Sequence, residues 1–205
     1  MTGKARILYG GSFDPPQLAH REVVEIALRA YPQARVLVIP AGWPPHKEEA
    51  GRTPAPHRLA MTRLAFAGLE GVEVSDEECR REGPSYTVDT LAAHRRSLAP
   101  GTPLYWLVGS DSLLRLAAWK DPHRILRLAR ILTVPRPGYP PERILDDERF
   151  SIEERRLLAR GILGETASPL SSTEVREALR RGEATSGFCA PEVHAYILDH
   201  GLYLS

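Results

Sequence analysis

Arg6-Ile7-Leu8-Tyr9-Gly10-Gly11-Ser12-Phe13-Asp14-Pro15-Pro16-Gln17-Leu18-Ala19-His20 is the stretch whose reading decides the fold. Arg6 to Tyr9 is a short, mostly apolar run that reads as a buried strand. Beyond His20, residues Val23, Val24, Ala27, Leu28 and Tyr31 recur at helical spacing. The glycine pair between them lets the backbone approach an anion closely. A helix start just beyond adds unpaired N–H groups and the positive end of a dipole. His20, in the first helical turn, can donate to a phosphate. Gly10-Gly11 alone reads as a tight turn, with His20 an N-terminal helix residue. Strand, glycine turn, histidine and helix together describe a nucleotide phosphate site.

Working outward, strand-like and helix-like segments alternate. Val36-Leu37-Val38-Ile39 is a continuous apolar run ending at Pro40, as a strand buried on both faces requires. A loop rich in Pro, Gly and charge follows from Ala41 to Pro56. The spacing predicts a helix over 57–69, packed through Leu59, Leu64 and Ala67, then a short strand at Val72-Glu73-Val74. Pro84-Ser85-Tyr86-Thr87 leads into a helix through Leu98. Leu104 to Val108 is the next strand, ending at a Gly109-Ser110-Asp111 turn, and Ile131 to Val134 is a further one. Asp121 and Pro122 read as cap and first residue of the helix between these two strands. Ser151 with Glu154, and Ser171 with Glu174, each form a capping box. A last helix over 191–200 ends at the natural cap Gly201. Such βαβα alternation argues for an open, doubly wound parallel sheet. Ligands of such sheets bind at the carboxyl ends of the strands, where strand order reverses. We expect one domain over 1–205: a nucleotide-binding core over 1–140 and a small C-terminal helical extension over 141–205.

The bulk numbers set bounds. The chain has 205 residues, 42% hydrophobic and 26% charged, an ordinary globular composition. A formal net charge of +1 gives no sign of an electrostatic nucleic-acid binder. No apolar run approaches membrane-spanning length and no secretory apolar region opens the chain. The two cysteines, Cys79 and Cys189, form no ligand pattern and read as small core or surface residues. The expectation is a cytoplasmic protein that binds neither nucleic acid nor membrane; monomer and homo-oligomer stay open. There is no metal-ligand cluster, no G-x-S-x-G elbow and no Walker pattern.

Several residues outside the first turn can carry chemistry. Lys47, in Pro44-Pro45-His46-Lys47, is one of only three lysines among 27 basic residues and can clamp a phosphate. Ser172, Thr173 and Arg176 put hydroxyls, helix N–H groups and a guanidinium at one helix start, a set suited to a polyphosphate. Trp119 can stack on an aromatic ligand ring; Trp106 belongs in the core; Trp43 is undecided. Asp111 can orient a ribose or cap a turn.

These segments, in this order, resemble the bacterial nicotinate-nucleotide adenylyltransferases of the nucleotidyltransferase superfamily. The resemblance covers nearly the whole chain. It runs through Gly10 to Pro15, Ile39 to Lys47, Pro84 to Leu91, Val108 to Leu114, Trp119, Arg136 to Tyr139, Ser171 to Arg176 and Tyr196 to Tyr203. Two positions depart from the superfamily signature G-x-F-x-P-x-H-x-G-H: Gln17 stands at its first histidine and Ala19 at its last glycine. The resemblance implies a Rossmann-like fold and adenylyl transfer from ATP to nicotinate mononucleotide, giving deamido-NAD and pyrophosphate. It implies Mg²⁺ carried with ATP rather than on protein ligands. Catalytic roles pass to His20, Lys47 and Arg176. ATP binding passes to Gly10, Ser12, Phe13, Gln17, His20, Gly109, Asp111, Ser172, Thr173 and Arg176. Binding of the nicotinate nucleotide passes to Gly11, Ser12, Lys47, Tyr86, Thr87 and Trp119. The alternatives are a sibling enzyme preferring another nucleotide, such as nicotinamide mononucleotide, and a non-catalytic nucleotide-binding protein.

Overall fold

The computed structural model describes residues 4–44, 53–183 and 187–204. The opening stretch forms β1 (Arg6–Gly11), which runs through the glycine pair and ends two residues later than its apolar part. Helix α1 (Leu18–Ala30) follows, then β2 (Arg35–Pro40), α2 (Ala55–Phe66) and β3 (Val72–Val74). Next come α3 (Thr87–Ser97), β4 (Leu104–Gly109), a short α4 (Ser110–Leu113), α5 (Pro122–Leu128) and β5 (Arg130–Val134). The C-terminal part adds α6 (Ile152–Arg160), α7 (Ser172–Arg180) and α8 (Pro191–Asp199).

The five strands make one parallel sheet in the order β3-β2-β1-β4-β5. Strand order therefore reverses between β1 and β4, and the glycine turn sits at that crevice. Alternate strand residues feed two cores, one per face. Ile7, Tyr9, Val36, Val38, Tyr105, Leu107, Leu132 and Val134 are buried under α1, α2, α7 and α8. Leu8, Ile39, Leu104, Trp106, Val108 and Ile131 are buried under α3, α4, α5 and α6. Because α7 and α8 bury Val175, Leu179, Val193 and Ile197 in the same cluster as β1, the C-terminal helices share the sheet's own core. Cys189 is buried there, and burial pushes its thiol pKa up to about 12, which leaves it an unreactive core residue.

Caps fall where sequence chemistry puts them. Asp121 accepts from the Arg124 N–H at the start of α5. Both capping boxes, at Ser151 and at Ser171, form in full. Gly201 adopts φ 60° just past α8. Two expectations change. Gly109-Ser110-Asp111 is no turn, because β4 passes directly into α4 and Asp111 lies in its first turn. Helix α2 ends at Phe66, and its buried face is Arg58, Met61, Thr62, Ala65 and Phe66, not one centred on Leu59, Leu64 and Ala67. Apolar counting selects the wrong stripe there, since a buried arginine and threonine hold two of its positions.

Candidate active site

The β1–β4 crevice opens into a cleft of about 310 Å³, within the usual range for ligand pockets. Its floor is the glycine turn. A Cβ on Gly10 would lie 2.4 Å from Trp106 Cη2, and one on Gly11 would lie 2.9 Å from Phe13 Cζ. The glycines therefore admit two aromatic rings beneath the turn as well as leaving its backbone uncovered. Trp106 is 3% exposed, in the core as expected, yet its ring also lines the cleft. Phe13 has φ 46° and its ring is buried against Tyr9, His20 and Phe66, so it supports the turn from below.

The carbonyls of this turn are tied back by the rest of the chain. Arg58 donates to Ser12 O at 2.8 Å, Arg176 to Asp14 O at 2.7 Å, Ser172 Oγ to Pro15 O at 3.1 Å and Cys189 Sγ to Pro16 O at 3.3 Å. Tyr203 completes the set, its hydroxyl 2.5 Å from the buried Asp14 carboxylate. Carbonyl oxygens held on these donors keep their partial negative charge off the ligand side.

His20 lines the cleft from the first turn of α1, with its Nδ1 accepting the Gln17 N–H at 3.1 Å. In the neutral ring this leaves the proton on Nε2, so that nitrogen is the donor. Gln17 has a different surrounding. It is 3% exposed, and its amide faces α7, with Nε2 3.2 Å from Leu170 O and Oε1 3.1 Å from the Ser172 N–H. The amide thus bridges two helix starts instead of projecting into the cleft.

Across the cleft from the glycine turn, Tyr86, Thr87, Trp119 and Lys120 form an aromatic and basic wall. Tyr86 is the N-cap of α3 and its side chain makes no capping bond, so the first N–H groups of that helix remain for an anion. Lys120 Nζ sits 4.2 Å from the Tyr86 ring centroid and 3.2 Å from Asp89 Oδ2. Behind this wall Glu78, 3% exposed, accepts from Thr90 Oγ1 at 2.5 Å, and burial pushes its carboxyl pKa up.

At the mouth, Asp111 pairs with Arg136 at 3.5 Å and with Arg115 at 3.4 Å. Gly109 makes room for them, since a Cβ there would lie 2.6 Å from Asp111 Oδ1 and 2.8 Å from Arg136 Cδ. Arg136 is further held by its N–H on Ser110 Oγ at 2.9 Å and by its guanidinium on Leu170 O.

The cleft brings together Gly10, Gly11, Ser12, Phe13, His20, Tyr86, Thr87, Gly109, Asp111, Trp119 and Ser172 from the expected set. It does not gather all of them. Gln17, Thr173 and Arg176 do not line it, and Arg176 instead spans Asp14 O and Thr173 Oγ1. Lys47 lies outside the described residues. Arg136 lines the cleft without having been singled out for a role. Its position two residues past the end of β5 was the available signal. Arg58 left no apolar signal at all.

The comparisons with known proteins follow the same outline. Residues 8–178 match the cytidylyltransferase-like family model. A relative from Gemmatimonas aurantiaca, named "Probable nicotinate-nucleotide adenylyltransferase", is 39% identical over 96% of this chain and 90% of its own length. One of the same name from Chromobacterium violaceum is 36% identical over 96% and 97%. Among solved structures, the Plasmodium falciparum nicotinic acid mononucleotide adenylyltransferase complexed with NaAD superposes with a TM-score of 0.75. It covers 98% of each chain at 18% identity, a likeness of fold. With its sequence matched to these relatives over nearly its whole length, the chain belongs to the nicotinate-nucleotide adenylyltransferase family.

Proposed function

We propose that this protein transfers the adenylyl group of ATP to nicotinate mononucleotide, releasing pyrophosphate and forming deamido-NAD. The observation that carries the reading is the two-ended cleft. One end is a backbone turn whose Ser12 and Asp14 carbonyls are held by arginines and which is flanked by His20 and the start of α7; the other is an aromatic wall with an open helix start. A molecule with a phosphate at one end and an anionic ring at the other matches both. The relatives' names and the NaAD-bound neighbour point to the same pair of substrates.

In this reading a phosphate oxygen of nicotinate mononucleotide attacks the α-phosphorus of ATP, and the bond to the bridging oxygen of pyrophosphate breaks. The nucleophile is already an anion, so no strong base is needed. The chain's task is alignment and neutralisation of charge. The backbone around Gly10 to Ser12 cradles phosphate. His20 Nε2–H donates to oxygens whose charge grows as the leaving group departs. Ser172, whose hydroxyl and N–H are taken by Pro15 O and Gln17 Oε1, acts through the turn it holds, and Lys47 adds a cation from the stretch that follows β2 in sequence. Arg176 acts through the turn it holds at Asp14 O. Trp119 stacks on the pyridine, and N–H groups at Thr87 receive its carboxylate. Among the described residues no group of three or more His, Cys, Asp or Glu converges as a metal set. Asp111 is paired with two arginines. Mg²⁺ carried in with ATP would supply further charge neutralisation at the phosphates beside His20 and Lys47.

The test uses ATP labelled at the α-phosphorus together with nicotinate mononucleotide and Mg²⁺. The expected result is label in deamido-NAD, identified by mass, with none in pyrophosphate. Label in pyrophosphate, or ADP as product, contradicts adenylyl transfer.

A further inference from the structure

Arg58 has no solvent exposure, and four carbonyl oxygens from three separate segments converge on its guanidinium. Nε donates to Thr53 O at 2.9 Å. Nη1 donates to Ser12 O at 2.8 Å and to Ala41 O at 2.6 Å, and Nη2 to Gly42 O at 2.9 Å. One side chain on α2 thus grips both the turn after β1 and the loop after β2. A planar fork of five donors can do this; an ammonium on a flexible stem cannot.

The grip has consequences on the far side of each peptide. The carbonyl and N–H of a trans peptide point in opposite directions. Holding Ser12 O therefore turns the Phe13 N–H away from Arg58, and Phe13 lines the cleft. Holding Gly42 O turns the Trp43 N–H away as well, and that N–H donates to Ser85 Oγ at 3.2 Å. Ser85 N–H returns a bond to Trp43 O at 2.8 Å. Gly42 packs directly on the Glu78 backbone and admits no side chain, since a Cβ there would lie 2.1 Å from Glu78 O. Ser85 directly precedes Tyr86 and Thr87. The path Ser12–Arg58–Gly42–Trp43–Ser85 runs from the phosphate turn to the pyridine wall, and its middle members Arg58, Gly42 and Trp43 do not line the cleft.

We propose that Arg58 is a positioning residue that sets the distance between the phosphate turn and the pyridine wall. This rests on the reading of Tyr86 and Thr87 as the nicotinate end. A misplacement of the reacting groups by an ångström costs about 10²-fold in rate, so the loss belongs in kcat. The substrates still bind at each end, so both KM values stay within about threefold of the parent, because uniform binding is untouched.

The experiment measures kcat, both KM values and the ratio of kcat/KM for nicotinate over nicotinamide mononucleotide, per folded molecule. The variants are Arg58→Lys, Arg58→Ala with and without millimolar guanidinium, and Ser85→Ala. Arg58→Lys keeps the charge but not the fork, and is expected to lose kcat about 10-fold or more, with a narrower nucleotide ratio. Added guanidinium is expected to raise kcat of Arg58→Ala. Ser85→Ala, which leaves Arg58 in place, is expected to narrow the ratio through the far end of the path, and it serves alone where Arg58 variants do not fold. Folded Arg58→Lys with parental kcat and ratio overturns the proposal, as does Ser85→Ala with a parental ratio. A parent enzyme with no preference between the two nucleotides instead overturns the reading of the pyridine wall.

Discussion

His20 is fixed by a bond that also fixes its proton. Nδ1 accepts the Gln17 N–H, so in the neutral ring Nε2 is the donor, and we propose that it meets a ligand oxygen. His20→Ala removes one donor aimed at charge that develops in the transition state, and turnover is expected to fall about 10²-fold or more. Steady-state kinetics on protein with a parental thermal melt checks this; near-parental turnover removes His20 from the mechanism. Gln17 shows where residue-level reading stops. From sequence its amide is a phosphate donor, because it stands at the first histidine of the signature. In the fold α7 lies beside it and takes both amide groups, a contact across 153 to 155 residues that no local pattern encodes. Gln17→Leu keeps the volume and strands the Ser172 N–H, while Leu170 O keeps the Arg136 guanidinium. We expect about 1–3 kcal/mol lost from unfolding free energy, typical for buried polar groups left without partners, with turnover reduced as α7 loosens. Chemical denaturation and turnover both equal to the parent would show that the bridge is idle.

Elements were legible wherever apolar periodicity is the whole signal. Every strand of the sheet follows from its apolar run, and the caps at Asp121, Ser151 and Ser171 follow from side-chain chemistry at fixed offsets. Helix α2 was legible in existence but not in facing, because Arg58 and Thr62 are buried through hydrogen bonds instead of apolarity. The segment before α3 has the same character. Glu78 is buried against Thr90, which also accepts from Arg81 at 3.0 Å. Burial raises the Glu78 pKa above its ordinary 4.5, against the opposing pull of Thr90 and Arg81. An acid whose folded pKa is raised binds more protons folded than unfolded, so stability is lost as pH rises from about 4.5 through the folded pKa. Glu78→Gln removes that charge and keeps an acceptor for Thr90. It is expected to melt higher than the parent at pH 7, with the advantage vanishing below pH 4.5. Parallel melting curves across that range would show that Glu78 carries no such penalty.

At the scale of the molecule, the C-terminal part does not sit apart from the nucleotide-binding sheet. It shares the sheet's core and closes on Asp14 to Pro16, just past the glycine turn, through Ser172, Arg176, Cys189 and Tyr203. The sequence shows the helices and the Ser-Ser-Thr-Glu-Val-Arg run; it cannot show that their common target is three consecutive residues, Asp14 to Pro16, at the other end of the chain. Tyr203→Phe tests that closure: it deprives the Asp14 carboxylate of a donor at 2.5 Å. About 1–3 kcal/mol of stability is expected to go, more than a surface hydroxyl contributes. An unchanged denaturation midpoint would make the tail a bystander. The central claim concerns what the whole cleft selects. Its open α3 start offers N–H donors, which satisfy both oxygens of a carboxylate but are left unpaired by the NH₂ of a carboxamide. A coupled pyrophosphate-release assay, with saturating ATP and Mg²⁺ and each pyridine mononucleotide in turn, reads this directly. The account predicts kcat/KM at least about tenfold higher for nicotinate than for nicotinamide mononucleotide, since each buried unpaired donor costs about 1–3 kcal/mol. Equal values for the two, or no pyrophosphate from either, would contradict it.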